Sequence, residues 1–139
     1  MTNKCIESVS HSQIVCKENQ SKFTLLNPTN LIVDKITVDG CIYPRGNNQK
    51  KCDFALNFDN TTILIELKGS KLKDACKQIL AVIEQPKFKM NHIKHAVIVT
   101  RRTPRDDTTV NYLKDNLRKK GIKLLNGNSP IEKNIVDFR

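Results

Sequence analysis

Asp53, Glu66 and Lys68 are the side chains whose types and order could do chemistry. Two carboxylates can hold a divalent cation, and an ammonium beside them can orient the attacking water or help deprotonate it. That is the set a metal-dependent phosphodiesterase requires. Glu66-Leu67-Lys68 closes an apolar run, Thr62-Ile63-Leu64-Ile65, and Asp53 lies thirteen residues upstream.

A hairpin would bring the three together. Cys52 to Phe58 and Thr61 to Lys68 read as strands, joined by Asp59-Asn60, a pair that tolerates the positive φ of a two-residue turn. With that turn Phe58 opposes Thr61, Leu56 opposes Ile63, Phe54 opposes Ile65 and Asp53 opposes Glu66, with opposed Cβ atoms about 5 Å apart. Because side chains alternate between faces, Phe54, Leu56, Phe58, Ile63, Ile65 and Leu67 form an apolar face. Asp53, Ala55, Asn57, Thr62, Leu64, Glu66 and Lys68 form the other. A slip of one residue would set Asp53 against Ile65 and mix the faces, so the hydrophobic pattern favours the register that clusters the acids. Facing carboxylates repel unless a proton or a cation intervenes. The alternative to a metal is that Lys68 and nearby lysines neutralise them as a solvated ion-pair cluster.

At 139 residues the chain is expected to form one domain, residues 1–139, large enough to bury a core. Its net charge is +10, and between Lys68 and Arg105 ten Lys or Arg stand against Asp74 and Glu84. A chain of this kind commonly meets polyanions, nucleic acid before anionic membrane. Tryptophan is absent and aromatics make up 5%, which argues against a stacked-aromatic platform for single strands. Cys5, Cys16, Cys41, Cys52 and Cys76 are scattered, with no Cys-x-x-Cys pair to suggest zinc. The opening residues are polar and no apolar run approaches the length of a membrane span. The expectation is a cytoplasmic, reducing setting with free thiols and no membrane partner.

Along the chain, Gln13 to Lys17 reads as a short strand, and Lys22 to Leu26 and Leu31 to Val38 as a second hairpin turned at Asn27-Pro28-Thr29-Asn30. A basic loop, Pro44 to Lys51, leads into Asp53 and could hold a phosphate backbone. After Gly69, Ser70 is placed to cap a helix whose stripe is Leu72, Ala75, Cys76, Ile79, Leu80 and Ile83, stopped by Pro86. Gln78 lies about two turns beyond that cap, within reach of the site. His95 to Thr100 is an apolar strand running into Arg101-Arg102. Asp106 or Asp107 could cap a helix through Val110, Leu113 and Leu117, closed by Gly121, and Ile122 to Leu125 reads as a last strand. The order predicts an α/β domain with a mixed sheet. The histidines, His11, His92 and His95, are not spaced as a metal cluster.

Asp53, then Glu66-x-Lys68, then Gly69-Ser70 and an amphipathic helix resemble the PD-(D/E)XK nuclease superfamily, which includes Holliday-junction resolvases and many restriction enzymes. Residues 36 to 100 carry the resemblance. It implies a restriction-endonuclease-like mixed sheet flanked by helices and a metal-dependent endonuclease, with DNA favoured over RNA. Asp53, Glu66 and the Leu67 carbonyl would hold Mg²⁺, with Mn²⁺ as a substitute, and Lys68 would position the water. Gln78 would match a recurring helix position. Lys50, Lys51, Arg101 and Arg102 are the expected backbone contacts. A homodimer is one way for so small a chain to handle duplex substrate. Cys52 stands where the family has proline, and the acid usually supplied from an N-terminal helix has Glu7, Glu18 and Asp39 as candidates. The rival readings are a catalytically inactive nucleic-acid-binding module of the same fold and a basic protein-interaction or inhibitor protein.

Overall fold

The computed structural model describes residues 4–46, 49–67, 71–100 and 108–139. The elements follow in the order β1 (Ile6–Val9), β2 (Gln13–Glu18), β3 (Ser21–Leu26), β4 (Val33–Thr37), β5 (Phe54–Phe58), β6 (Thr61–Leu67), α1 (Leu72–Glu84), β7 (Ile93–Thr100), α2 (Thr108–Lys119), β8 (Ile122–Asn128), β9 (Ile131–Asn134) and a closing 3-10 turn (Ile135–Phe138). The architecture is mixed α/β, as the element order predicted.

The main sheet runs β1-β4-β5-β6-β7-β8. Its first four strands pair antiparallel and its last three pair parallel, with α1 and α2 as the crossovers. The β5–β6 hairpin has the register that the hydrophobic pattern required, Phe54 opposite Ile65 and Phe58 opposite Thr61, and Asp59 turns it at φ 48°. Every residue of β6 is buried, which is what a central strand covered on both faces must be.

The two faces are covered differently. Ala55, Leu64, Ala96 and Ile98 pack under both described helices, against Ala75, Ile79, Val82, Leu113 and Leu117. Leu56, Ile63, Ile65, Val97 and Val99 pack under a second sheet, β2-β3-β9, which contributes Ile14, Cys16, Phe23 and Leu25. The expectation of a sheet flanked by helices therefore holds for one face, and a three-stranded sheet takes the other. On α1 the buried stripe is Leu72, Ala75, Cys76, Ile79 and Val82, while Leu80 and Ile83 sit at its margin. Lys71 occupies the cap position without a side-chain cap bond, and Ser70 lies outside the described residues, as do Asp106 and Asp107.

The second hairpin is a correction. β3 pairs with β2 and with β9, whereas β4 pairs with β1 and β5. The segment from Asn27 is a corner between sheets rather than a hairpin turn. The buried Asn27 side chain holds that corner, donating to the carbonyls of His11 and Leu31 and accepting from the Leu31 amide. Asn27→Ala would leave those groups without their partner, and a loss of about 2 kcal/mol is expected from urea unfolding. A neutral result would mean that water replaces the amide at the corner.

The expectation of five free thiols is also corrected. Cys5 and Cys41 form a disulfide, since the Thr37 amide bonds the Cys5 carbonyl at 2.8 Å and sets the N-terminal segment beside the end of β4. Cys16, Cys52 and Cys76 are free and buried. Cys52 packs on the helix side with Ala55 and Leu64 rather than on the Leu56 face, because the chain bends at Asp53 just before β5. Among the described residues no helix is long and apolar enough to cross a membrane.

Candidate metal centre

The carboxyl ends of the parallel strands β6 and β7 lie at one end of the main sheet, the end where open α/β sheets gather ligands. Asp53 and Glu66 stand at this end. The Asp53 amide donates to the carbonyl of Ile65 at 3.0 Å, the residue that Phe54 already opposes, so the regular β5–β6 pairing stops at Phe54 and the expected pairing of Asp53 with Glu66 is not part of the register. Both are buried, Asp53 at 7% and Glu66 at 2% exposure. The Leu67 amide donates to Asp53 Oδ2 at 2.7 Å, so Leu67 meets the aspartate through its N–H.

Two further acids converge on Asp53. Its carbonyl accepts from the amides of Val38 at 3.0 Å and Asp39 at 3.3 Å, which pins Asp39 alongside. Glu18 arrives from the other layer at the end of β2, one residue before Asn19 turns the hairpin at φ 53°. One carboxylate oxygen from each of Glu18, Asp39 and Asp53 lies within 4.8 Å of the others. Glu66 is outside that group, and Glu7 is exposed on β1 opposite Lys35. Three chain segments from both sheets thus supply the acids. Glu18 and Asp39 were candidates in the sequence with nothing to rank them, because neither stands in a local pattern with Asp53.

This gathering of anions leaves a mark on Asp53. Its carboxyl is raised from 3.8 to about 8, first by burial and then by a hydrogen bond with Glu18, with the charges of Glu18 and Asp39 adding and the Leu67 N–H opposing. Without a cation, Asp53 holds a proton against Glu18 at neutral pH. In the unfolded chain that proton leaves near the ordinary value, so the folded state binds more protons between pH 3.8 and about 8. The cation-free protein is therefore expected to lose stability as pH rises through that window, and melting curves recorded at intervals across it would show the fall. A melting temperature that rises from pH 5 to pH 8 would contradict the assignment.

The donor set fits a hard divalent ion. Three carboxylates offer only oxygen, and Mg²⁺ takes oxygen ligands at about 2.1 Å, a shell that side chains within 4.8 Å of one another close by small rotations. Thiolate ligation is disfavoured. Burial raises Cys16 to about 12, and burial with the Glu66 and Asp53 charges raises Cys52 well above 9.0.

The remaining predicted residues fall in different places. Lys51 reaches Asp39 at 3.9 Å and donates to the Gln49 carbonyl at 3.0 Å, so it borders the acids as a counter-charge. Lys50 is exposed on the same connector, beside Tyr43, Gln49 and Gln85. Gln78 is half-buried on α1, and its Oε1 is buried with no hydrogen-bond partner among the described residues. Lys68, Arg101 and Arg102 lie outside the described residues. His95 is buried against the 3-10 turn, with Nε2 3.1 Å from the Phe138 carbonyl. Burial lowers its pKa, a structural setting of the kind expected for an unclustered histidine. No family model matches the chain, nor does any curated protein or solved structure.

Proposed function

We propose that this chain is a Mg²⁺-dependent nuclease that hydrolyses phosphodiester bonds in nucleic acid, DNA in preference to RNA, on a restriction-endonuclease-like core. The single observation that carries this is the convergence of Glu18, Asp39 and Asp53 beside Glu66 at the carboxyl ends of the parallel strands. No packing need explains it, since gathering like charges around the buried Asp53 costs stability.

In this reading Asp53, Asp39 and Glu18 hold the cation, with Glu66 as the next carboxylate. The cation, when bound, supplies positive charge at the scissile phosphate and acidifies water. The Leu67 N–H keeps the Asp53 carboxylate turned into the cluster. Lys68 follows directly in sequence, and its amine orients the attacking water. Gln78 on α1, whose buried carbonyl oxygen has no hydrogen-bond partner among the described residues, is the further polar group assigned to the site. Lys50, Lys51, Arg101 and Arg102 offer the phosphate backbone weakly selective electrostatic contacts, and a homodimer would let two such sites meet a duplex. An intracellular place of action suits this substrate, and the Cys5–Cys41 bond is the feature that weighs against a reducing one.

Supercoiled plasmid and single-stranded DNA incubated with Mg²⁺, with Mn²⁺ and with chelator test the reading. Cutting that needs the cation is expected. Lys68→Ala should slow it about 100-fold while leaving DNA affinity unchanged. Binding without metal-dependent cutting would instead support the inactive binding module of the same fold, and indifference to nucleic acid would point to the protein-interaction reading.

A further inference from the structure

β8 ends the six-stranded sheet, and among the described residues no strand pairs with its outer edge. The strand at the opposite end, β1, is 4 residues long, whereas β8 is 7. A long open edge is usually blunted by charge, proline or a bulge. Within β8 only Lys123 is charged and no proline interrupts it.

A groove flanks this edge on each face. On the α2 side, a cleft of about 470 Å³ is lined by Ile122 and Leu124 together with Lys114 and Arg118. On the other side, one of about 340 Å³ is lined by Leu125, His95 and Phe138 together with Lys123 and Lys133. Successive side chains of a strand point to opposite faces, so a strand added beside β8 would fill the two grooves in turn. Main-chain hydrogen bonds would supply affinity and the grooves selectivity.

We propose that the β8 edge docks an acidic β-strand of a partner protein, which joins the sheet as its next strand. Charge selects this occupant. Lys114, Arg118 and Lys123 outnumber Asp115 in the first groove, and Lys123 and Lys133 outnumber Asp137 in the second. Arg118 is held by Asp115 at 2.7 Å, but both are exposed, and such a pair exchanges partners readily. A second copy of this chain would bring its own +10 charge and its own Lys123 to the same edge, which disfavours self-pairing. Nucleic acid could use the lysines but neither the open backbone nor the leucines. The proposal does not depend on the nuclease reading.

The test titrates the full chain with an acetylated, amidated peptide of alternating Glu and Val, about eight residues long, followed by calorimetry and amide hydrogen exchange. Binding is expected to protect the amides of residues 122–128. A version N-methylated at alternate amides should bind at least about tenfold more weakly at equal charge, and an alternating Lys and Val peptide should not bind. Arg118→Glu with Lys123→Glu should weaken the acidic peptide at least about tenfold. Equal binding of the N-methylated peptide would overturn the proposal, since charge alone would then account for it. So would protection confined to other strands, displacement of the peptide by a short DNA duplex that protects β8 itself, or protection of β8 by self-association without peptide.

Discussion

Asp53→Asn is expected to abolish divalent-cation binding while making the cation-free protein more stable. The substitution keeps an oxygen that can accept from the Leu67 amide at the distance, 2.7 Å, held by the aspartate. It removes the charge that Glu18 and Asp39 oppose. Cation affinity measured by calorimetry should fall more than about 100-fold, because a buried unit charge next to the ion is lost. Stability should rise by about 2 kcal/mol at pH 8, and the gain should shrink as pH falls toward the ordinary carboxyl value of 3.8. A packing role for Asp53 predicts the reverse, lower stability at every pH. A variant that still binds Mg²⁺ would remove Asp53 from the ligand set.

Phe23→Ala is expected to destabilise the fold and to weaken cation binding from a distance. Phe23 has no exposed surface, sits between the two sheets, and meets the Phe138 ring edge-on with centroids 6.3 Å apart. Removing a buried ring costs about 4 kcal/mol in urea unfolding, a large share of the stability of a small domain. Phe23 pairs with Cys16 on β2, and Glu18 lies two residues further along that strand. Loosening the small sheet therefore loosens one of the three acids. Val15→Ala, at a 37% exposed position of the same strand, is the control and should change both quantities little. If Phe23→Ala lowers stability but leaves Mg²⁺ affinity intact, Glu18 is not a ligand.

The β5–β6 hairpin was written in the chain. Apolar residues at alternate positions from Phe54 to Phe58 and at Ile63, Ile65 and Leu67, with a turn pair between them, favour one register, and the strands pair in it from Phe54 to Phe58; Asp53, whose amide also goes to Ile65, lies outside it. The helix from Leu72 to Glu84, the strand from Ile93 and the Gly121 stop are equally local, for period and turn chemistry act within a few residues.

Partnership between distant segments was not legible. Strands Ser21–Leu26 and Val33–Thr37 each looked like half of a hairpin, yet they went to different sheets, because both bury apolar faces in one core from opposite sides and Asn27 turns the chain between them. Alternation tells which side chains are buried but not which strand lies alongside. For the same reason the sequence by itself singled out Asp53 and Glu66 and left the acids that gather around Asp53 open. Glu18 and Asp39 reach Asp53 across 35 and 14 residues of chain, and only the stacking of one sheet on the other and the path of the β4–β5 connector placed their carboxylates within 4.8 Å.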